Sequence, residues 1–321
     1  MKKSRIPVLL IVLAALLLLP SCSSDPAGQK RTEIQLPSGT YSVLLGDASY
    51  SCSGGELKIS AGGTGESSID LSGLGGCTDI SVLTVSCADG KLKELILPDL
   101  PDASITVTGK DIGRIDGNAL SADAILYIEG KVEQFETKGI GYLCLDGYDD
   151  LSFLPNGHFG LLTLEVSVPL SSLSGIEARH LALRGPGWSL EGIDLIEQLE
   201  VLSVHTQEEL DYSPFAGSSF RQLDLSGPLD IGQLTCLKQL DTLMVWDDRI
   251  TGPEHFTDIP GLDTLRLCVR DCRENRQYGV IDADNIEAID SLRLRIDAQP
   301  LRDFVENGGT LMILCDQRRT S

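Results

Sequence analysis

Four histidines, one close cysteine pair and one acidic turn are the residues whose types invite chemistry in this sequence. A nucleophile and its base, or the ligands of a metal, must lie within a few ångströms of one another. His158, His180, His205 and His255 are scattered through the second half of the chain. The two that share a face in the pattern derived below, His180 and His205, fall four residues apart along the strand direction, about 13 Å at ~3.3 Å per residue. They read as unrelated surface histidines. Cys268 and Cys272 form "CVRDC"; with no further ligand at regular spacing, the pair reads as a short-loop disulfide or as two free thiols. Asp282, Asp284 and Asn285 carry part of a calcium-loop spacing but lack its glycine and its distal glutamate, so they read as a solvated acidic turn. The pairs Gly54–Gly55, Gly62–Gly63, Gly75–Gly76 and Gly308–Gly309 lack the lysine and following helix of a phosphate loop, and are turn glycines. No catalytic constellation emerges, and neither a metal nor a cofactor is expected.

The first residues carry a different chemistry. Lys2, Lys3 and Arg5 precede an apolar run of 14 residues, Ile6 to Leu19. That run is short for a bilayer span, which takes about 20 residues, and suits a signal-peptide core. It ends in "LLLPSCSS", which resembles a bacterial lipobox with Leu19 at −3, Ser21 at −1 and Cys22 as acceptor. Pro20 departs from the usual small or β-branched residue at −2. The resemblance implies a diacylglycerol thioether and an amine-linked acyl chain on Cys22, and two or more chains anchor stably where one does not. Ordinary secretion, with Cys22 a plain thiol, is the alternative. The expected layout is a signal peptide over 1–21 and a tether over 22–35. The expected location is extracytoplasmic, lipid-anchored to the cell membrane or outer membrane. No later segment is apolar over enough length to span a bilayer.

Cleavage before Cys22 would leave 300 residues, with 23 basic against 47 acidic side chains and a net charge of −24. Such a chain repels nucleic acid and anionic headgroups, so nucleic acid is not an expected partner and the membrane is met only through the anchor. A hydrophobic content of 42% excludes wholesale disorder, while 5% aromatics and 33 glycines argue against a phenylalanine-rich core. Beyond Cys22 there are eight cysteines, which allow 105 connectivities between which the sequence does not choose.

The elements that must position these residues repeat. "LDTLMV" at 240–245 returns as "LDTLRL" at 262–267. Anchored on Leu243 and Leu265, the pattern extends back through Leu223, Leu202, Leu181, Leu164, Leu143, Leu126 and Ile105, and forward through Leu292 and Ile313. The gaps run 21, 17, 21, 17, 21, 21, 20, 22, 27 and 21. Each anchor sits in a short alternating run, the mark of a half-buried strand. A period near 21 residues brings the chain round to lay each strand parallel to the last, stacking the anchors in one apolar column. In "LDTLMVWDDRITGPEHFTDIPGL", the residues Leu240, Leu243, Val245, Ile250, Phe256, Ile259 and Leu262 occupy the apolar positions of the leucine-rich repeat family, which the chain resembles over about 105–315. Asp248 stands where that family usually has Asn or Cys, and Gln207 is the other polar candidate.

The expectation is therefore a β-rich solenoid, leucine-rich-repeat-like, over 101–321. Its convex side should carry 3₁₀ and extended segments, with helical turns near 194–198 and 300–306. Residues 36–100 read as a β-rich N-terminal cap or as degenerate early repeats. Side chains at −1, +1 and +3 of each anchor should face solvent on the concave side, Ser203, Asp224 and Thr264 among them. On that face Met244, Trp246, His205 and three arginines, Arg266, Arg293 and Arg295, form a candidate partner site. Arg266 and Arg293 on adjacent rungs would suit a carboxylate or sulfate; the plainer reading is that the arginines neutralise nearby acidic turns. The family resemblance implies a non-enzymatic interaction module for an extracellular or envelope protein or glycan. The alternatives are a ligand-capture lipoprotein or enzyme with its site in 36–100, and a structural envelope component.

Overall fold

The computed structural model describes residues 31–62, 66–88, 90–148, 150–246, 249–269, 279–291 and 296–315. Cys22, Asp248, Cys272, Leu292, Arg293 and Arg295 lie outside them. The N-terminal end is antiparallel: β1 (Arg31–Leu36) and β2 (Gly39–Leu44) form a hairpin, and β3 (Ser49–Ser53) pairs with β4 (Glu56–Ala61). Residues 31–35 therefore belong to a strand and not to the expected tether. Ile34 is fully buried there, and that burial fixes the segment.

From β4 onward the pairing is parallel, apart from one antiparallel pair, Asp70 with Leu44 of β2, and a short strand at Val280–Ile281. β5 (Glu66–Asp70), β6 (Val82–Cys87) and β7 (Lys91–Ile96) lead to two long strands, β8 (Ser104–Asp116) and β9 (Ile125–Glu136). The first halves of β8 and β9 continue the β4–β6 ladder, while their second halves continue a separate β5–β7 ladder. After β9 each coil contributes one strand to the main ladder: β10 (Ile140–Asp146), β11 (His158–Leu164), β12 (Glu177–Arg184), β13 (Val201–His205) and β14 (Gln222–Ser226). The two-residue strands β15 (Leu229–Asp230) and β17 (Ile250–Thr251) pair with each other, and β16 (Thr242–Val245) and β18 (Thr264–Val269) extend the ladder. β19 (Val280–Ile281) lies antiparallel on β20 (Thr310–Cys315), which closes it. The result is a β-rich molecule dominated by one long, mostly parallel sheet.

Register explains why alternation sufficed to find the strands. Leu57, Leu83, Ile105, Leu126, Leu143, Leu162, Leu181, Leu202, Leu223, Leu243, Leu265 and Leu311 lie side by side, every one of them 0% exposed. Two residues on, a second column from Ile59 to Ile313 is buried as well. Full burial of each such side chain contributes about 1.5–3 kcal/mol. Behind the sheet, 3₁₀ turns at Leu170–Leu173, Ile193–Leu195, Ser213–Gly217, Ile231–Leu234 and Pro253–Asp258 stack on one another. The consensus residues Leu240, Phe256, Ile259 and Leu262 fill the space between turns and sheet.

Three rungs differ from the expected register. In "LLTLEV" the residue beside Leu143 and Leu181 is Leu162, not Leu164; the strand ends at Leu164, and Val166 is 39% exposed. At the far end, β18 pairs directly with β20: Leu265 meets Leu311 and not the expected anchor Ile313, which lies opposite Leu267. The rung expected on Leu292, which lies outside the described residues, has no place between them. The reason is the helix α1 (Ala298–Glu306). Asp297 caps it by accepting from the Gln299 amide at 3.1 Å, and Leu301, Phe304 and Val305 are buried along one face. That face covers the end of the core against the 253–258 and 286–291 turns.

Candidate functional site

The inward columns leave an outward face of −1, +1 and +3 residues over which no described helix or turn packs between β9 and β18. Its middle column is nonetheless sheltered by its own neighbours. Cys144, Thr163, Ala182 and Ser203 are 8%, 1%, 5% and 4% exposed. Ser203 was expected at the surface. It is buried because a polar network closes over it.

In that network the His180 Nε2 and Ser203 Oγ lie 2.8 Å apart, Ser203 Oγ is 3.5 Å from the Asp224 carboxylate, and His205 Nε2 is 3.8 Å from it. The Trp246 indole N–H donates to the other oxygen of Asp224. His180 and His205, too far apart to meet directly, are thus joined through Ser203 and Asp224. Sequence spacing along one strand missed this because the links run across β12, β13, β14 and the end of β16. The 2.8 Å pair has the spacing of a nucleophile and its base. The carboxylate, however, meets the serine and not the far nitrogen of the histidine, and the ladder on both sides uses the strand amides near Ser203. The order of a hydrolytic relay is not made. The network instead fixes His205 and Trp246 on the face.

Burial pushes His180 below the ordinary histidine value of 6.5, Asp224 pulls it back, and His205 adds to the depression. The unfolded chain therefore takes up a proton near pH 6.5 that the folded chain refuses until lower pH. This contribution to stability is complete above 6.5 and is lost as pH falls through the folded value. His255 has the opposite sign. Its hydrogen bond to Asp258, 2.7 Å, raises it, so its contribution is complete below 6.5 and fades as pH rises. In chemical denaturation across a pH series, His180→Gln should flatten the acid side of the stability curve and His255→Gln should not. Equal slopes for wild type and His180→Gln would remove the network's electrostatic role.

Beside the network the face carries an arginine, Arg266. Met244 and Met312 flank Arg266 on the neighbouring strands, and the Arg266 Nε is buried without a hydrogen-bond partner. The other described arginines are engaged, for example Arg114 with Glu94 and Glu136, Arg184 with Glu165, and Arg221 with Asp241. The strand next to Arg266 carries Met312, and Arg293, expected there, lies outside the described residues.

At the other end the face is apolar and acidic, a feature that the sequence reading left out. Ile125 and Tyr127 are each 37% exposed, the Tyr127 and Tyr142 rings meet edge to face at 5.3 Å, and Leu161 lies half-buried next to Tyr142. Burial pushes the Tyr142 phenol and the Cys144 thiol up from their ordinary values, so both stay neutral.

The remaining candidates are structural. Asp282 accepts from the Asp284 amide, and the Asn285 side chain joins both ends of that turn, so its polar groups serve the backbone. Gln207 accepts from Arg249. No disulfide forms among the described residues; Cys52, Cys77, Cys87, Cys144 and Cys236 are thiols, and Cys268 is buried on the outward face. Among the described residues, no group of three or more His, Cys, Asp or Glu side chains is placed to hold a metal. Two open hollows of about 670 and 710 Å³ lie among the turns at 209–236 and 167–195, away from 36–100. Comparison with known proteins finds no family model, no curated protein and no solved structure that matches this chain.

Proposed function

We propose that this protein is a lipid-anchored, extracytoplasmic binding module of leucine-rich-repeat-like build. Its outward sheet face would take a carboxylate- or sulfate-bearing protein or glycan. One observation carries this reading. In a chain with 47 acidic residues, the half-buried Arg266 has no acidic or hydrogen-bonding partner among the described residues. It stands between two methionines, on a face that also holds Trp246 and His205 in place. An unpaired guanidinium is costly to keep partly desolvated, and an incoming oxyanion would satisfy it with charge-assisted bonds. Arginine and tryptophan are also the residue types that dominate binding hot spots.

Crosslinking on intact cells, with the full-length chain as bait, tests the reading. The wild type should capture a partner that Arg266→Ser loses by about tenfold or more, the size expected for a charge-assisted bond. Acidic peptides and sulfated oligosaccharides as competitors separate the two ligand sources. Equal capture by a folded Arg266→Ser chain would remove the site. The anchor is tested separately: mass spectrometry of the membrane fraction should find a lipidated peptide beginning at Cys22, and Cys22→Ala should release the protein.

A further inference from the structure

The apolar end of the outward face is built for a ligand of the opposite charge. Ile125, Tyr142 and Leu161 are register neighbours at −1 on β9, β10 and β11, and Tyr127 stands beside Ile125 at +1. Isolated exposed apolar side chains are ordinary, but adjacent ones on three strands make a patch. Along its edge, at +3, run Glu129, Asp146 and Glu165. Asp146 lies directly opposite Glu129 across the strands, and both are exposed. Like charges directly opposite one another in a sheet destabilise it. Glu165 is relieved by Arg184 at 3.0 Å, whereas Glu129 and Asp146 have no cation among the described residues.

We infer that the β9–β11 end of this face docks an extended segment of a protein partner whose every second residue, the set facing the sheet, alternates between basic and apolar. An extended segment repeats its side chains at the spacing of the sheet's own columns. Its lysines or arginines would lie over Tyr127 and reach Glu129 and Asp146, combining cation–π and ion-pair contacts. Its apolar side chains would cover Ile125, Tyr142 and Leu161. This rests on the reading of the outward face as a binding surface, but on residues separate from Arg266.

The test uses the full-length chain in non-ionic detergent and a fluorescent peptide of about ten residues, followed by anisotropy. Ser fills every second position and Lys and Val alternate at the others, so that both face the sheet when the peptide is extended. Binding should be present at low salt and weaken at about 1 M, where screening is strong. It should fall about tenfold or more in Tyr127→Ser and in the double change Glu129→Gln, Asp146→Asn. Arg266→Ser should leave it unchanged, so loss of the acidic ligand at Arg266 and loss of this peptide are separate results. Thermal melts confirm that each variant is folded. The proposal is overturned if the peptide fails to bind, if the variants bind it as well as wild type, or if the same peptide with Glu in place of each Lys binds equally. It is also overturned if a neutral oligosaccharide displaces the peptide, or if sedimentation shows self-association that the variants abolish, because a second copy would then be the occupant.

Discussion

Leu243→Ala is expected to cost about 2–5 kcal/mol, and Leu202→Ala, Leu223→Ala and Leu265→Ala about the same. Each of these side chains is 0% exposed and is flanked on both sides by another column leucine. Its removal leaves a void that the flanking strands cannot close without breaking their own pairing. Thr264→Ala, one residue away on the half-buried outward side, should change stability by about 0.5 kcal/mol or less. Ser203→Ala is not an equivalent control, since Ser203 lies under His180 and Asp224. Urea denaturation followed by circular dichroism measures the series. A cost for Thr264→Ala exceeding that for Leu265→Ala would mean that the two faces of the ladder are exchanged.

The ladder was legible because burial on one face imposes a period of two within each strand, and stacking imposes a longer period between strands. Both are written in the spacing of Leu181, Leu202, Leu223, Leu243 and Leu265. The slip at Leu164 arose where three leucines crowd one strand and the template fitted two registers; Leu162 makes the neighbouring gaps equal, at 19 residues each. The false rung at Leu292 came from extending a local pattern into a segment whose neighbours form a cap. Helix α1 shows amphipathic spacing in Leu301, Phe304 and Val305, which competes with the strand pattern. Of the candidate site, Met244, Trp246 and Arg266 follow from alternation alone. Their partners do not, because Asp224, Ser203 and His180 are brought together across strands, a relation that appears only once register is known. The exposed Ile125 and Tyr127 were available in "AILYIE" by the same alternation.

Gly130→Ala should be among the most damaging single changes in the chain. β8 and β9 each turn a corner to run from the main ladder into the second one, and β8 carries extra residues there: Thr108 pairs with Glu129, while the next pair is Asp111 with Lys131. Gly130 sits at that corner with φ +110°, a conformation that side-chain-bearing residues rarely adopt, and a Cβ on it would lie 1.7 Å from the carbonyl oxygen of Gly109. The conformational strain alone costs about 1–3 kcal/mol, and relieving the overlap by moving strand backbone adds about 1–3 kcal/mol more. Gly109→Ala is the control. Its φ is ordinary, and its Cβ would meet only the Ile112 side chain at 3.2 Å and the Cys87 carbonyl at 3.4 Å, contacts that small shifts relieve. The clash is with backbone that pairs with Cys87 on the neighbouring strand, so Gly130→Ala should lower the melting temperature well beyond Gly109→Ala. It should also loosen amide-exchange protection first in β8 and β9, where the two ladders share their strands. Equal melting of the two variants would show that the corner does not depend on a residue free of Cβ at position 130.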